Sequence, residues 1–213
     1  RIQGIVPPLL QRMRAKYPKI EVRIVEAFSH TIYEWLVTGR LDLAILYYSR
    51  EHDAADSIPF IDEEMVALGG PGVFDDVGEV AMGDLARDRL IVPWRPSIHR
   101  LAIESAFLSA NHPFEPAIEI DSMPCIKELA NRGEGITIFP PSSVVREIET
   151  GRLTRAHVDP AIRITAKLGR SRRQTPPRAV RIVTSELQQL AIDLAPETGW
   201  NVATGPETEV WEG

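Results

Sequence analysis

Leu41-Asp42-Leu43-Ala44-Ile45-Leu46-Tyr47 is a nearly continuous apolar run of strand length, and it constrains the fold more than any other segment. A run without alternation suits a strand covered on both faces. Just before it, Ile32, Trp35 and Leu36 share one helical face in a segment that Ser29 or Thr31 can cap and Gly39 can end. Earlier still, Ile5, Leu9, Leu10, Met13 and Tyr17 form another helical face, stopped by Pro18, and 20–25 reads as a strand with partial alternation. Helix and strand in repeated succession predict an α/β fold with a mostly parallel sheet.

The same grammar returns after an interruption. Residues 50–57 are polar, 58–68 is extended in pattern, and Gly69-Gly70-Pro71-Gly72 is the first candidate crossing between two lobes. Strands are predicted at 89–92, 117–121, 135–139 and 152–158, with helices at 98–110, 122–132 and 142–150. A return crossing falls at about 160–170. The last helix, 177–195, carries Val180, Val183, Leu187, Leu190 and Leu194 at spacings that keep them on one face. The expected organisation is lobe I from 1–69 plus 166–196, lobe II from 70–165, and an irregular tail at 197–213 that is loosely ordered or docked on the surface. A cleft between two such lobes is a natural place for a small ligand, with helix N-termini supplying free N–H donors.

Charge and composition remove other classes. Lys plus Arg is 24 against 30 Asp plus Glu, a net charge of −6, which argues against this chain gripping nucleic acid unaided. No apolar stretch is long enough to span a bilayer. The single cysteine, Cys125, excludes an internal disulfide framework, and its place on the apolar side of a helix predicts a buried small side chain. His30, His52, His99, His112 and His157 show no metal-ligand spacing, so no metal and no cofactor is expected. Gly133-Glu134-Gly135 follows a helix and precedes a strand, the reverse of the phosphate-binding order, and reads as a helix stop. Glu63 and Glu64 are adjacent in a strand, point to opposite faces and cannot act as a catalytic pair. Arg170-Ser171-Arg172-Arg173 reads as a solvated loop.

Taken in order, several motifs resemble the effector-binding domain of LysR-type transcriptional regulators. Pro7-Pro8-Leu9-Leu10-Gln11-Arg12-Met13-Arg14-Ala15-Lys16-Tyr17-Pro18 is similar to the family's first helix. Glu21 to Ser29 and Gly39-Arg40-Leu41-Asp42-Leu43-Ala44-Ile45 are similar to the strands around its second helix. Leu90 to Ser97, Glu119-Ile120-Asp121-Ser122 and Gly133 to Pro140 resemble its second-lobe elements, and 170–190 its closing loop and final helix. The resemblance covers about 4–195, with the first lobe nearest to regulators of nitrogen and sulfur assimilation. It implies two Rossmann-like lobes joined by two crossings, a type 2 periplasmic-binding-protein-like fold. It implies a homodimer or tetramer, a winged helix-turn-helix domain upstream, and contact with DNA and RNA polymerase only through the longer protein. In the family a strand precedes the first helix; here only Arg1-Ile2-Gln3 stand before it, so the chain reads as a cytoplasmic fragment starting after that strand.

Residues and resemblance together nominate a ligand site and no enzyme. Ser29, His30 and Thr31 join a strand end to a helix start, where hydroxyls and backbone N–H groups meet a polar or anionic effector; the alternative is ordinary capping. Arg95, Pro96 and Ser97 form the matching second-lobe loop, with Arg95 either pairing a ligand carboxylate or lying solvated. Ser122 caps a helix or contacts ligand, and Met123 lines the pocket or packs in the core. Leu10, Met13 and Leu187 are candidate partner-facing positions. The alternative function is a solute-binding protein of a transport system.

Overall fold

The computed structural model describes residues 3–27, 29–47, 55–75, 78–171 and 177–203. In chain order the elements are α1 (Val6–Lys16), α2 (Ser29–Val37), β1 (Leu43–Tyr47), β2 (Ala55–Gly69), β3 (Glu79–Ala81), α3 (Met82–Leu85), β4 (Ile91–Val92), α4 (Ile98–Ser109), β5 (Ile118–Glu119), α5 (Met123–Asn131), β6 (Thr137–Phe139), α6 (Val145–Glu149), β7 (Thr154–Ser171), α7 (Arg178–Thr198) and β8 (Asn201–Val202). The chain divides into two compact units: a discontinuous one, Ile2–Glu63 with Thr165–Gly213, and a continuous one, Glu64–Ile164. Strands β2 and β7 each pass from one unit into the other.

In the discontinuous unit, β1 runs antiparallel to the last part of β7, with Leu43 opposite Arg170 and Tyr47 opposite Ala166. Helix α2 lies against β1, and Ile32, Leu36, Ala44 and Leu46 form their shared core. Gly39 takes a φ of 75° where α2 ends, so the helix stop read from sequence is the left-handed residue that most side chains resist. Helices α1 and α7 pack together. Met13 and Leu187 are buried there, 2% and 4% exposed, so neither can face a partner; Leu10 remains 38% exposed. Lys16 Nζ lies 2.9 Å from Glu186, and Arg12 pairs with Asp193.

The continuous unit contains the parallel arrangement. β4 pairs with β5, Val92 opposite Glu119. On its other side β4 meets the start of β6 through a parallel bridge between Leu90 and Ile136. Ile91 N–H donates to Ile136 C=O at 2.8 Å, and Ile136 N–H donates to Arg89 C=O at 2.9 Å. β6 then pairs antiparallel with β2, Val66 opposite Phe139. The unit's core gathers Val66, Leu68, Ile91, Met123, Ile126, Ala130, Phe139, Val144 and Leu153.

Three expectations need correction. The sheet is not mostly parallel: β1–β7, β2–β6 and β2–β8 are antiparallel. Apolar periodicity gives a strand's faces but not its partner's direction. Residues 20–25 form no strand; no described strand lies beside them to complete a ladder, and Ile24 and Val25 are 47% and 52% exposed. Strand 152–158 and the return crossing are one strand, β7, whose Ala156, Val158, Ile162, Ile164, Ala166 and Leu168 are buried at even spacing. The last helix also continues through Pro196 to Thr198. Trp200 is then 6% exposed, and Val202 pairs with Ile61.

Gly135 carries the β4–β6 junction. A Cβ there would lie 2.2 Å from the carbonyl oxygen of Arg89, the acceptor of the Ile136 bond. Gly135→Ala is therefore expected to lower the unfolding free energy by about 3 kcal/mol, since backbone and not a pliable side chain is in the way. Urea denaturation at unchanged m-value checks this. A loss under about 1 kcal/mol would show that the two strands tolerate being pushed apart.

Candidate functional site

The nominated residues fall into two groups, one in each unit. In the discontinuous unit, Ser29, His30 and Thr31 make up the first turn of α2 and are half-buried. The first N–H groups of any helix lack intrahelical partners, so this turn presents donors. The Ser29 hydroxyl oxygen accepts from Tyr47 N–H at 3.2 Å, tying the helix start to the last residue of β1. Tyr47 O–H in turn donates to Glu63 at 2.6 Å, and Trp200 Nε1–H donates to the other Glu63 oxygen at 2.9 Å. Glu63 is 3% exposed. Its neighbour Glu64 lies 2.7 Å from His157 Nδ1 and 3.8 Å from Arg163. The two carboxylates are thus engaged separately, as adjacent positions in a strand require.

In the continuous unit, Arg95, Pro96 and Ser97 follow β4, and Ser122 and Met123 follow β5. Because β4 and β5 are neighbours and parallel, both connections leave the same edge of the sheet. The Arg95–Pro96 peptide is cis. Arg95 is exposed, and its Nη2 lies 2.8 and 2.6 Å from the two carboxylate oxygens of Glu104. Ser97 is the N-cap residue of α4, 7% exposed, and its side chain makes no capping bond. Ser122 does cap α5, accepting from Cys125 N–H at 3.5 Å. Met123 is 3% exposed and packs in the core. His30 and Thr31 belong to the other unit with Ser29.

Sequence reasoning missed the groups that hold these loops. The Arg100 side chain is 7% exposed; its Nη2 lies 2.8 Å from Glu119 and its Nε 3.7 Å from Glu104. Its guanidinium sits 5.3 Å from the Phe114 ring centroid. The Arg100–Glu104 spacing of four residues was the available signal. Ser142 and Ser143, after β6, are also buried, 5% and 0% exposed. Among the described residues, no group of three or more His, Cys, Asp or Glu is placed to hold a metal ion.

This arrangement has counterparts among known proteins. The family model for the LysR substrate binding domain matches residues 2–191. The chain belongs to the LysR substrate-binding domain family. The HTH-type transcriptional regulator BbuR of Bordetella bronchiseptica is 31% identical over 195 residues, covering 88% of this chain and 59% of that protein. The chain thus spans less than two thirds of the curated relatives it matches. The regulatory domain of CcmR from Synechocystis PCC6803, solved in complex with 2-PG, superposes with a TM-score of 0.78 at 20% identity, covering 88% of this chain and 91% of that one. The effector binding domain of QuiR in complex with shikimate gives 0.77 at 16%, covering 88% and 90%. These likenesses establish for the LysR domain the expected α/β fold of periplasmic-binding-protein-like type 2.

Two further residues of the LysR domain bear on its stability and reactivity, and the first departs from expectation. Cys125 is exposed rather than buried, because it falls off the α5 face that carries the buried Met123, Ile126 and Ala130. His99, in the first turn of α4, packs against Phe139 with ring centroids 5.2 Å apart, and burial pushes its pKa from 6.5 down to about 3. Below pH 6.5 the unfolded chain takes up a proton that the folded chain refuses, so stability falls as pH falls from 6.5 toward 3. By pH 5 this group alone should cost about 2 kcal/mol. Thermal unfolding between pH 8 and 5 should show the decline, and His99→Phe should flatten it; an unchanged slope in the variant would exclude His99 as its source.

Proposed function

We propose that this LysR domain binds a small polar or anionic metabolite and serves as the effector-binding and oligomerisation part of a transcriptional regulator. The observation that carries the reading is the state of the donors beside the strand ends of the continuous unit. Both arginines there are already held by carboxylates, Arg95 by Glu104 and Arg100 by Glu119. What remains is neutral: serine hydroxyls and the first N–H groups of α4, a helix start that favours negative charge. Such a set suits a small carboxylate or hydroxylated acid. The similar domains solved with 2-PG and with shikimate support the same ligand class. Ser29, His30 and Thr31, and Arg95, Pro96 and Ser97 are the candidate contacts, with Ser97 foremost because its hydroxyl is not spent on capping; the Ser122 hydroxyl is spent on capping α5, and Met123 packs in the core.

The relatives reported are transcription regulators, which favours this reading over a solute carrier for transport. In that role the chain forms a homodimer or tetramer in the cytoplasm and reaches DNA and RNA polymerase only through the longer protein. No helix among the described residues is long and apolar enough to cross a membrane. A ligand acts in such a regulator only through its different affinity for two arrangements. The domain itself performs no turnover.

A thermal-shift screen of small carboxylates, amino acids and sugar acids tests the reading. An effector at a hundredfold excess over its Kd stabilises by about 2.7 kcal/mol, a rise of about 5 °C or more in Tm for a chain of this size. Ser97→Ala is expected to weaken binding about fivefold, the worth of one hydrogen bond of about 1 kcal/mol. Absence of any shift across the panel, or chemical conversion of a bound compound, would overturn the proposal.

A further inference from the structure

The connections after β4, β5 and β6 are not equivalent. The chain steps from β4 to β5 on one side and then returns to β6 on the other, giving the spatial order β5-β4-β6 with all three parallel. Where strand order reverses in this way, ligands bind at the carboxyl ends of the middle strand and the strand that follows the return. That crevice is flanked by the residues after Val92 and after Phe139, not by those after Glu119. Ser97 and Ser142 occupy these two connections. The elements that bound them touch: His99 in the first turn of α4, two residues beyond Ser97, packs its ring against Phe139 at the end of β6, three residues before Ser142.

Ser142 is 5% exposed, and its Oγ makes no hydrogen bond. A buried hydroxyl without a partner is uncommon and costs stability, so it calls for a reason. Thr137 Oγ1 is in the same condition, but it lies inside the ladder opposite Leu68, at the far end of β6 from the crevice. Ser122 differs on both counts, since it follows the outer strand β5 and its Oγ already caps α5.

We propose that Ser142 is a specificity-determining effector contact, donating its hydroxyl to a carboxylate or hydroxyl oxygen of a ligand seated between the β4 and β6 connections, while Ser122 serves only as a cap. The inference rests on the effector-binding reading above and names a contact in that site. A site built to bond an oxygen rejects an analogue that lacks it, because the buried hydroxyl is again left unmet.

The test measures thermal unfolding of the chain and its Ser142→Ala and Ser122→Ala variants, alone and with shikimate, succinate or inorganic phosphate, followed by calorimetric titration of whichever probe shifts the wild type. Without ligand, Ser142→Ala should raise Tm by about 2–4 °C, because an unmet polar group is removed, whereas Ser122→Ala should lower it. With ligand, Ser142→Ala should weaken binding tenfold or more and Ser122→Ala less than twofold. A ligand-bound wild type whose affinity survives Ser142→Ala overturns this inference and leaves the effector-binding reading standing. So does a fall in Tm for ligand-free Ser142→Ala, which would show that the hydroxyl already has a partner. A wild type that no probe stabilises counts against the small-acid reading itself, and this inference falls with it.

Discussion

The continuous unit depends on two backbone hydrogen bonds, Ile91 to Ile136 and Ile136 to Arg89, that draw the start of β6 against β4. They form only because Gly135 has no side chain to hold the strands apart. That contact makes β4 the middle strand of a parallel trio, and the trio sends its connections out along one edge. Helix α4, its uncapped first turn and the buried serine after β6 all take their places from it. The chemistry open to this edge is therefore set by backbone geometry before any side chain is considered.

Electrostatics then decides which charges this edge leaves free. Arg100 is drawn out of solvent by Glu119 and by the ring of Phe114, and Glu104 holds Arg95 at the surface. Breaking the buried Arg100 pair leaves an unmet charge, so that cation is costly to redirect toward a ligand, whereas the exposed Arg95 pair is held only weakly. On the proposed reading, a ligand here would be recognised through hydroxyls and the N–H groups at the start of α4 more than through a free arginine. His99, kept neutral by burial, adds no positive charge to this edge.

Much of this was legible in the residues. The face of α1, the stop at Gly39, the run that became β1 and the spacing of α7 all translate directly into burial. So did the separation of Glu63 from Glu64. What escaped has a common cause, because pairing direction and contact between distant segments leave no trace in local periodicity. The antiparallel crossings, the absence of a strand at 20–25 and the burial of Met13 and Leu187 against each other's helices are facts about partners. The same holds for the candidate site. Ser97 and Ser122 looked alike as serines at helix starts, and what separates them is the position of their strands in the sheet and the capping bond that Ser122 alone makes. Ser142 carried no motif at all; a strand order and a missing hydrogen bond single it out.

The Trp200 indole is enclosed, and its N–H is bonded to a carboxylate that lies in β2. Trp94, in the continuous unit, is 56% exposed. These two of the chain's four tryptophans therefore sit in opposite dielectric surroundings. Trp200 fluoresces from a shielded setting that responds to the position of Glu63, while Trp94 emits from water and responds to quenchers. With Trp35 and Trp211 replaced by phenylalanine, light emission from this chain would carry two separable signals, one for each unit, without any attached dye.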